Sequence, residues 1–249
     1  MPQRDKLLAQ TFVDIADTLV NDFDVVEYLS VLTGRCVDLF DLSEAGIMLA
    51  DPGGALHVAA ASSERMSLLE LFELQHDEGP CLDCYRSGAQ VGCPDLAAAV
   101  DRWPSFGPEA IGAGFGSVFA LPMRLRDETI GSLNLLRHQA DDLSNDDLIA
   151  AQALADVATI GILQHRAAEE SRLLTEQLQY ALNSRVVIEQ AKGVIAQHSN
   201  LPMHDAFSAL RSYARDHNAR LVDVAEAVAQ RSLPAATVIT NRAAHRSDR

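Results

Sequence analysis

Two positively charged side chains, Arg185 and Lys192, stand seven residues apart in the last third of the sequence. The segment around them, residues 182–196, has apolar residues at helical spacing and is predicted to form a helix. On a helix, a separation of seven residues places both cations on nearly the same face. Gly193 follows directly, and its missing side chain lets another surface approach the backbone closely. Such a face can bind phosphate groups, although an amphipathic helix with a solvated charged edge shows the same pattern.

A second candidate for chemistry is the pair Cys81 and Cys84, whose CxxC spacing occurs in thiol-exchange sites and in one half of many zinc sites. No second CxxC and no histidine pair at zinc spacing follows. The same spacing suits two small apolar side chains in a packed helix, and in a cytosolic chain the four cysteines are expected to stay reduced. Cys81 and Cys84 are therefore kept as candidates for a redox or metal site, and no other metal site or cofactor is predicted.

The titratable residues show no arrangement typical of catalysis. His57, His76 and the cysteines form no Ser/His/Asp or paired-carboxylate pattern. Gly112, Gly114 and Gly116 lack the GxGxxG spacing of a phosphate-binding loop and precede a predicted strand rather than a helix. We therefore expect a protein that is not an enzyme.

The charge of the chain is divided unevenly. The net charge is −15 over 249 residues. Residues 1–165 contain nine Lys and Arg against 26 Asp and Glu, whereas residues 166–249 contain eleven against nine. A chain with this negative charge is not expected to bind nucleic acid non-specifically or to adhere to an anionic membrane. Because no membrane-spanning apolar run and no secretory signal are predicted, we expect a cytoplasmic protein that does not bind membranes.

The first 143 residues alternate between helical and strand patterns. Two amphipathic helices come first, and turn residues at 51–54 then join two short apolar segments in a predicted hairpin. Further helices, a short strand and a second hairpin at 117–137 follow. This order predicts an α+β domain in which an antiparallel sheet is flanked by helices.

Several motifs in this part of the chain resemble the GAF family of sensory domains, over about residues 5–165. They are Asp77-Glu78-Gly79-Pro80-Cys81-Leu82-Asp83, Val91 with Pro94-Asp95-Leu96, Gly114-Phe115-Gly116-Ser117-Val118, Ala120-Leu121-Pro122-Met123-Arg124 and Ile130-Gly131-Ser132-Leu133-Asn134-Leu135. The resemblance implies a domain, placed at residues 1–143, that senses a signal or dimerises and could bind a small molecule that the sequence does not identify. Trp103, Phe106 and Phe115 could contact such a ligand, but aromatic residues more often belong to the core.

A long helix is predicted to follow, beginning with the hydroxyl cap Ser144 and containing no stop before His198. Its apolar residues repeat at heptad spacing and, after a polar stretch at 164–172, resume with a shifted phase. The apolar residues of the row are Leu148, Ala151, Ala155, Ala158, Ile162, Leu174, Leu178, Ala181 and Ile188, and Arg185 occupies one further position of it. We predict that a coiled-coil helix at 144–175 pairs with a second copy in a homodimer. Two separate helices with a hinge near 169–171 are the alternative.

Residues 176–233 are predicted to form a bundle of three helices, and residues 234–249 a flexible tail without a sustained apolar pattern. Three helices are compatible with helix-turn-helix DNA binding. The third helix, however, presents Asp223 and Glu226 rather than a row of Arg, Asn or Gln, which makes it a poor reader of the DNA major groove.

Three motifs in these helices resemble the ANTAR family in order and spacing. They are Ala181-Leu182-x-Ser184-Arg185-x-x-Ile188-Glu189-Gln190-Ala191-Lys192-Gly193, then Ala206-Phe207-x-x-Leu210-Arg211-x-Tyr213-Ala214, then Asn218 with Leu221-x-Asp223-Val224-Ala225. The resemblance implies an RNA-binding transcription antiterminator that recognises paired hairpin loops in the leader of a nascent mRNA, so that a terminator hairpin cannot form. It places on the RNA face Arg185, Gln190, Ala191, Lys192, Gly193 and Arg211.

We add Arg215 to that face because it stands one helical turn after Arg211. Phe207 is expected on the core side of its helix, and Tyr213 is either part of the core or a stacking residue.

The sequence thus predicts a dimeric regulator of transcription built from an α+β GAF-like sensor, a long coiled-coil helix and an all-α ANTAR-like module that binds RNA. The alternative is a GAF-based sensor of a ligand, thiol or metal that acts through protein–protein contacts.

Overall fold

The computed structural model describes residues 3–18 and 24–240. The chain divides into two compact units, one ending at Arg166 and one beginning at Ala167. A single helix, α6 (Asn145–Ser199), contributes residues to both.

The first unit is an α+β domain. Its elements before α6 are α1 (Gln3–Thr18), α2 (Val25–Phe40), β1 (Glu44–Ala50), β2 (Leu56–Ala61), α3 (Glu64–His76), α4 (Pro80–Ser87), β3 (Val91–Cys93), a 3-10 turn (Ala97–Ala99), α5 (Phe106–Gly112), β4 (Ser117–Leu125) and β5 (Glu128–Arg137). The strands form one five-stranded sheet in the order β2-β1-β5-β4-β3, and every neighbouring pair is antiparallel. The predicted fold class is confirmed.

Both faces of this sheet are covered by helices. Successive residues of a strand point to opposite faces, so Phe119 and Leu121 of β4 pack in one core with α1, α2 and α6, whereas Val118 and Ala120 pack in a second core with α3, α4 and α5. The first seven residues of β4 are all buried. This two-sided burial explains why β4 is a nearly continuous apolar run rather than an alternating one.

The start of α6 is part of the first core. Ala151, Ala155, Ala158 and Ile162 are at most 1% exposed and contact side chains of the sheet, α1 and α2. The prediction that this part of the heptad row faces a second copy is therefore wrong, because the sheet already covers it. The first domain also extends past residue 143, the boundary that we predicted from the cap at Ser144.

An 18-residue stretch of α6 reaches a mean hydropathy of 1.3, with 39% of it buried in the structure. By length and composition it meets the criterion for a membrane span, contrary to the prediction that no such run exists. The core helix of a soluble protein meets the same criterion, so this is weak support for a membrane span.

The second unit is all-helical. The end of α6 packs with α7 (Met203–Asp216) and α8 (Leu221–Ala229) around a core that includes Ile195, Leu210 and Val224. Residues 235–240 are also helical, and their Ala235 and Val238 are buried in the same core. The flexible tail predicted from residue 234 is therefore wrong for 235–240, while residues 241–249 lie outside the described part of the chain.

Candidate nucleic-acid interface

The predicted row of cations lies on α6 within the second unit. Arg185 is exposed, Gln190 is exposed, and Lys192 is partly exposed two turns after Arg185. Val187, Ile188 and Ile195 of the same stretch pack in or against the core of this unit. Because one side of the helix is held by this packing, the row of Arg185 and Lys192 is held toward solvent.

Lys192 is the most firmly positioned of these cations. Its Nζ lies 2.8 Å from each carboxylate oxygen of Glu189 and 5.6 Å from the centre of the Phe207 ring on α7. The side chain is 17% exposed, against 52% for Glu189. The long stem of Lys192 is thus covered while its charged end is fixed at the surface between α6 and α7.

Ala191 does not lie on this face. It is fully buried among the core residues of α7 and α8, since the helix turns by about 100° per residue and the position next to Lys192 points inward. Its predicted contact with RNA is therefore wrong. At Gly193, by contrast, an added Cβ would meet nothing within 4 Å, so the backbone there is open to another molecule.

The two arginines of α7 are exposed. Arg215 Nη2 donates to Ser212 Oγ at 3.4 Å, and its Nε lies 3.8 Å from Asp216. Arg211 stands one turn after Phe207, so both share a face of α7. Phe207 contacts Lys192, and helical spacing adds Arg185 to the row of Lys192 and the two arginines of α7 to the side of Phe207. We name these residues the cationic face: Arg185, Lys192, Phe207, Arg211 and Arg215.

Helix α7 begins without a side-chain cap. Pro202 occupies the cap position with extended backbone, and its carbonyl accepts from the backbone N–H groups of Asp205 and Ala206 at 2.9 and 3.0 Å. Proline suits the start of a helix because it has no N–H to leave unpaired.

The pair Cys81 and Cys84 lies inside the first domain rather than at a surface. Both thiols are at most 2% exposed, and burial raises the pKa of Cys84 to about 12 and that of Cys81 well above its ordinary value. Reactive thiols have lowered pKa values and solvent access, so these are the features of inert, structural cysteines. Among residues 3–18 and 24–240, no group of three or more His, Cys, Asp or Glu side chains could hold a metal ion.

The Asp77–Asp83 motif connects three helices. Glu78 Oε1 accepts from the backbone N–H groups of Ser105 and Phe106, at 2.6 and 3.0 Å, at the start of α5. Asp83 Oδ2 accepts from the indole N–H of Trp103 at 3.2 Å. Glu78 thus supplies a partner for N–H groups at the start of α5 that would otherwise be unpaired, and Asp83 supplies one for the buried indole. Trp103, Phe106 and Phe115 are at most 2% exposed and belong to the second core.

Comparison with known families agrees with both halves of this architecture. The GAF domain model matches residues 24–163, and the ANTAR domain model matches residues 176–228. The chain belongs to the GAF-ANTAR family. The GAF match ends at residue 163, which agrees with the packing of the start of α6 in the first core. No curated protein matches the chain.

Solved structures show the same fold for the GAF domain. A GAF domain of the phosphoenolpyruvate-protein phosphotransferase from Acinetobacter is 15% identical, with a TM-score of 0.53 over 67% of this chain and 96% of that one. The free methionine-R-sulfoxide reductase from Neisseria meningitidis is 19% identical, with a TM-score of 0.51 over 66% of this chain and 91% of that one. At these identities the likeness concerns the fold alone.

The GAF-ANTAR protein therefore combines a domain of a sensing type with a domain of the RNA-binding antiterminator type. In the ANTAR domain Lys192 contacts Phe207 of α7, and Ala191 is buried in the core. Helical spacing places Arg185 on the row of Lys192 and Arg211 on the row of Phe207. Sequence reasoning missed Phe207, because its place beside Ala206 and Leu210 suggested the core.

Two buried carboxylates of the GAF domain were also missed. Glu70 and Glu73 of α3 are each 1% exposed. A signal was present in the sequence, since Glu70 follows Met66 and Glu73 follows Leu69 by one helical turn, on the apolar rows of α3.

Proposed function

We propose that this GAF-ANTAR protein binds paired hairpin loops in the leader of a nascent mRNA through its ANTAR domain, and thereby prevents a competing terminator hairpin from forming. The observation that carries the proposal is the cationic face on the ANTAR domain of a chain whose net charge is −15. Several positive charges grouped on one face of an acidic chain favour a specific phosphate-bearing partner over non-specific adhesion.

Hairpin loops suit this face better than a duplex. Their unpaired bases can leave the stack and contact protein, whereas the deep groove of an RNA helix cannot be read by side chains. The open backbone at Gly193 admits such a base, and Gln190, exposed beside it, carries both a donor and an acceptor for a base edge.

We propose further that the protein is a homodimer through the part of α6 that precedes Arg185. Leu174 and Leu178 are 56% and 57% exposed, and with exposed Ala181 they form an apolar row that continues at helical spacing into Arg185. Exposed leucines one turn apart favour pairing with a second helix, as in a coiled coil. Two ANTAR domains could then bind two loops at once and gain affinity through effective concentration.

The GAF domain is proposed to sense a signal, either a small molecule or a partner, and not to catalyse a reaction. We propose a cytoplasmic location without membrane association, consistent with the acidic surface, which anionic lipids would repel.

Titration of a leader RNA with two tandem hexaloop hairpins tests the proposal. We expect the full chain to bind it more tightly than a single hairpin, and much more tightly than an RNA with scrambled loops, at one stated salt concentration. A gel shift measures all three affinities. Equal affinity for loop and scrambled RNAs would contradict the proposal.

Lys192→Ala should weaken binding of every cognate hairpin by about the same factor, because its ammonium is expected to contact a phosphate rather than a base. The slope of log K against log salt should fall by roughly 0.7 to 0.9, the contribution of one released counterion. Lys6→Ala is the matched control, because Lys6 is exposed and is the only other lysine of the chain. A salt slope of the Lys192 variant equal to that of the wild type would remove Lys192 from the interface.

A further inference from the structure

Phe207 occupies an unusual place for a phenylalanine. Its neighbours on α7, Ala206 and Leu210, are fully buried in the core of the ANTAR domain, whereas Phe207 remains partly exposed. Among the described residues, the apolar side chains that pack in or against that core do not include Phe207. Its ring contacts the ammonium of Lys192, whose Nζ lies 5.6 Å from the ring centre.

The other aromatic residues of the domain are placed differently. Tyr213 packs against the core, and its ring is stacked on His217 with centres 3.9 Å apart. Tyr180 is 56% exposed but precedes the cationic face on α6. Phe207 is thus the aromatic ring that lies within the cationic face.

A partly exposed ring among cations has a specific chemical use. Aromatic rings stack on nucleic-acid bases that have left the helix, and cations beside the ring hold the phosphates on either side of that base. Lys192 stands over the ring, and Arg211 stands one turn further on the same face of α7.

We propose that Phe207 is the platform on which one unpaired base of the RNA loop stacks, with Lys192 and Arg211 holding the adjacent phosphates. This inference rests on the proposed function and adds to it the residue that distinguishes an unstacked loop from paired RNA. A duplex keeps its bases stacked on one another and offers no free base face to the ring, so it gains only the phosphate contacts.

The decisive experiment is a cycle between protein and RNA variants. The full chain and Phe207→Leu are titrated against the two-hairpin RNA and against RNAs in which the same loop position of both hairpins is abasic, one position at a time. In the wild type, removal of the stacked base should weaken binding roughly 10- to 100-fold, the range for one base–aromatic stack. The affinity of Phe207→Leu for the intact RNA should be lower than that of the wild type by a similar factor. Phe207→Leu should then bind the RNA that is abasic at that position as tightly as it binds the intact RNA, because the stack is already lost.

Two further measurements distinguish the loss of a stacking contact from a general loss of RNA binding. The salt slope of Phe207→Leu should equal that of the wild type, because no phosphate contact is removed, and Phe207→Tyr should bind within about threefold of the wild type because it keeps the ring. Phe72→Leu, which removes a partly exposed ring from the GAF domain, is the matched control and should bind as the wild type does.

A fluorescent variant covers the case in which Phe207→Leu loses its helical structure by circular dichroism. The chain contains one tryptophan, Trp103 in the GAF domain, so Phe207→Trp adds a single reporter on the cationic face. Its added emission should be quenched by the two-hairpin RNA and much less by RNA abasic at the stacked position.

The outcomes distinguish this inference from the function on which it rests. If the wild type prefers loop RNA but the losses from Phe207→Leu and from every abasic position simply add, or if Phe207→Trp is not quenched, the platform is wrong and the proposed function stands. If the wild type does not prefer loop RNA over its scrambled control, both are overturned.

Discussion

Replacing Leu174 and Leu178 together with glutamine should lower the apparent affinity for a two-hairpin RNA by about 10²- to 10⁴-fold, the range by which linked binding exceeds single-site binding. Glutamine keeps the helix and the net charge but removes the apolar row that precedes Arg185. The variant should be a monomer by sedimentation equilibrium, and one ANTAR domain can bind only one loop.

The affinity for a single hairpin serves as the internal control and should change by less than about threefold, because neither leucine belongs to the cationic face. Leu68→Gln in the GAF domain is the matched substitution, since Leu68 is 61% exposed but lies on α3. If the double variant remains a dimer, or if it becomes a monomer and still prefers two hairpins, the proposed link between α6 pairing and RNA affinity is wrong.

The architecture of the GAF domain was largely readable from its sequence. The hairpins β1-β2 and β4-β5 were marked by turn residues between short apolar runs, and the helices by spacings of three and four. The spacing of apolar residues did not show which element packs against each apolar row. Ala151, Ala155 and Ile162 keep a heptad that suits a second copy, yet the sheet of the same domain covers them, because burial depends on contacts far apart in sequence.

The cationic face could be predicted only in part, because it too depends on contacts between helices that are far apart in sequence. Helical spacing located Arg185 and Lys192 on one face, but the exposure of Phe207 depends on how α7 packs against α6, which spacing within α7 does not determine. Ala191 entered the predicted face through the motif in which it stands, although its side chain fills the core. A motif residue can thus be fixed by packing as well as by binding.

Glu73 is the residue for which structure adds most to sequence in the GAF domain. Its Oε1 accepts from the backbone N–H groups of Cys81 and Leu82, at 2.7 and 3.2 Å, and so caps the start of α4, where Gly79 has no side chain to do so. Gly79 makes this possible, since a Cβ there would collide with the Glu73 side chain and its φ is +148°. The pKa of Glu73 is also raised by the nearby charge of Asp83. The charge of Glu73 in turn raises the pKa values of three neighbours, Glu70, Cys81 and Cys84.

The pH dependence of folding should show this carboxyl directly. Burial raises the pKa of Glu73 from 4.5 to about 7 in the folded state, and hydrogen bonds from Cys81 and Leu82 oppose the rise without cancelling it. The folded state therefore binds more protons than the unfolded state between those pH values. The contribution of the protonated Glu73 to stability is fully present below about pH 4.5 and is lost as the pH rises through 7. The free energy of unfolding should therefore fall by roughly 2 to 3 kcal/mol between pH 5 and pH 8.

Glu73→Gln should remove most of that slope and make the GAF domain more stable than the wild type at pH 8, because an amide oxygen can still accept at the start of α4 while no charge is buried. Part of the slope should remain, since burial also raises the pKa of Glu70 well above its ordinary value. Carboxyls whose pKa is lowered, such as those of Glu44 and Glu78, affect stability in more acidic solution and leave this range unchanged.

Urea unfolding followed by fluorescence of Trp103, the single tryptophan, measures the GAF domain separately from the ANTAR domain at pH 5, 6, 7 and 8. Glu64→Gln, an exposed carboxyl on the same helix, is the matched control and should keep the wild-type slope. A Glu73→Gln protein with the wild-type slope would show that Glu73 stays ionised in the folded domain. Its buried charge would then be balanced by the N–H groups of α4 alone, and the pH dependence would have to come from Glu70.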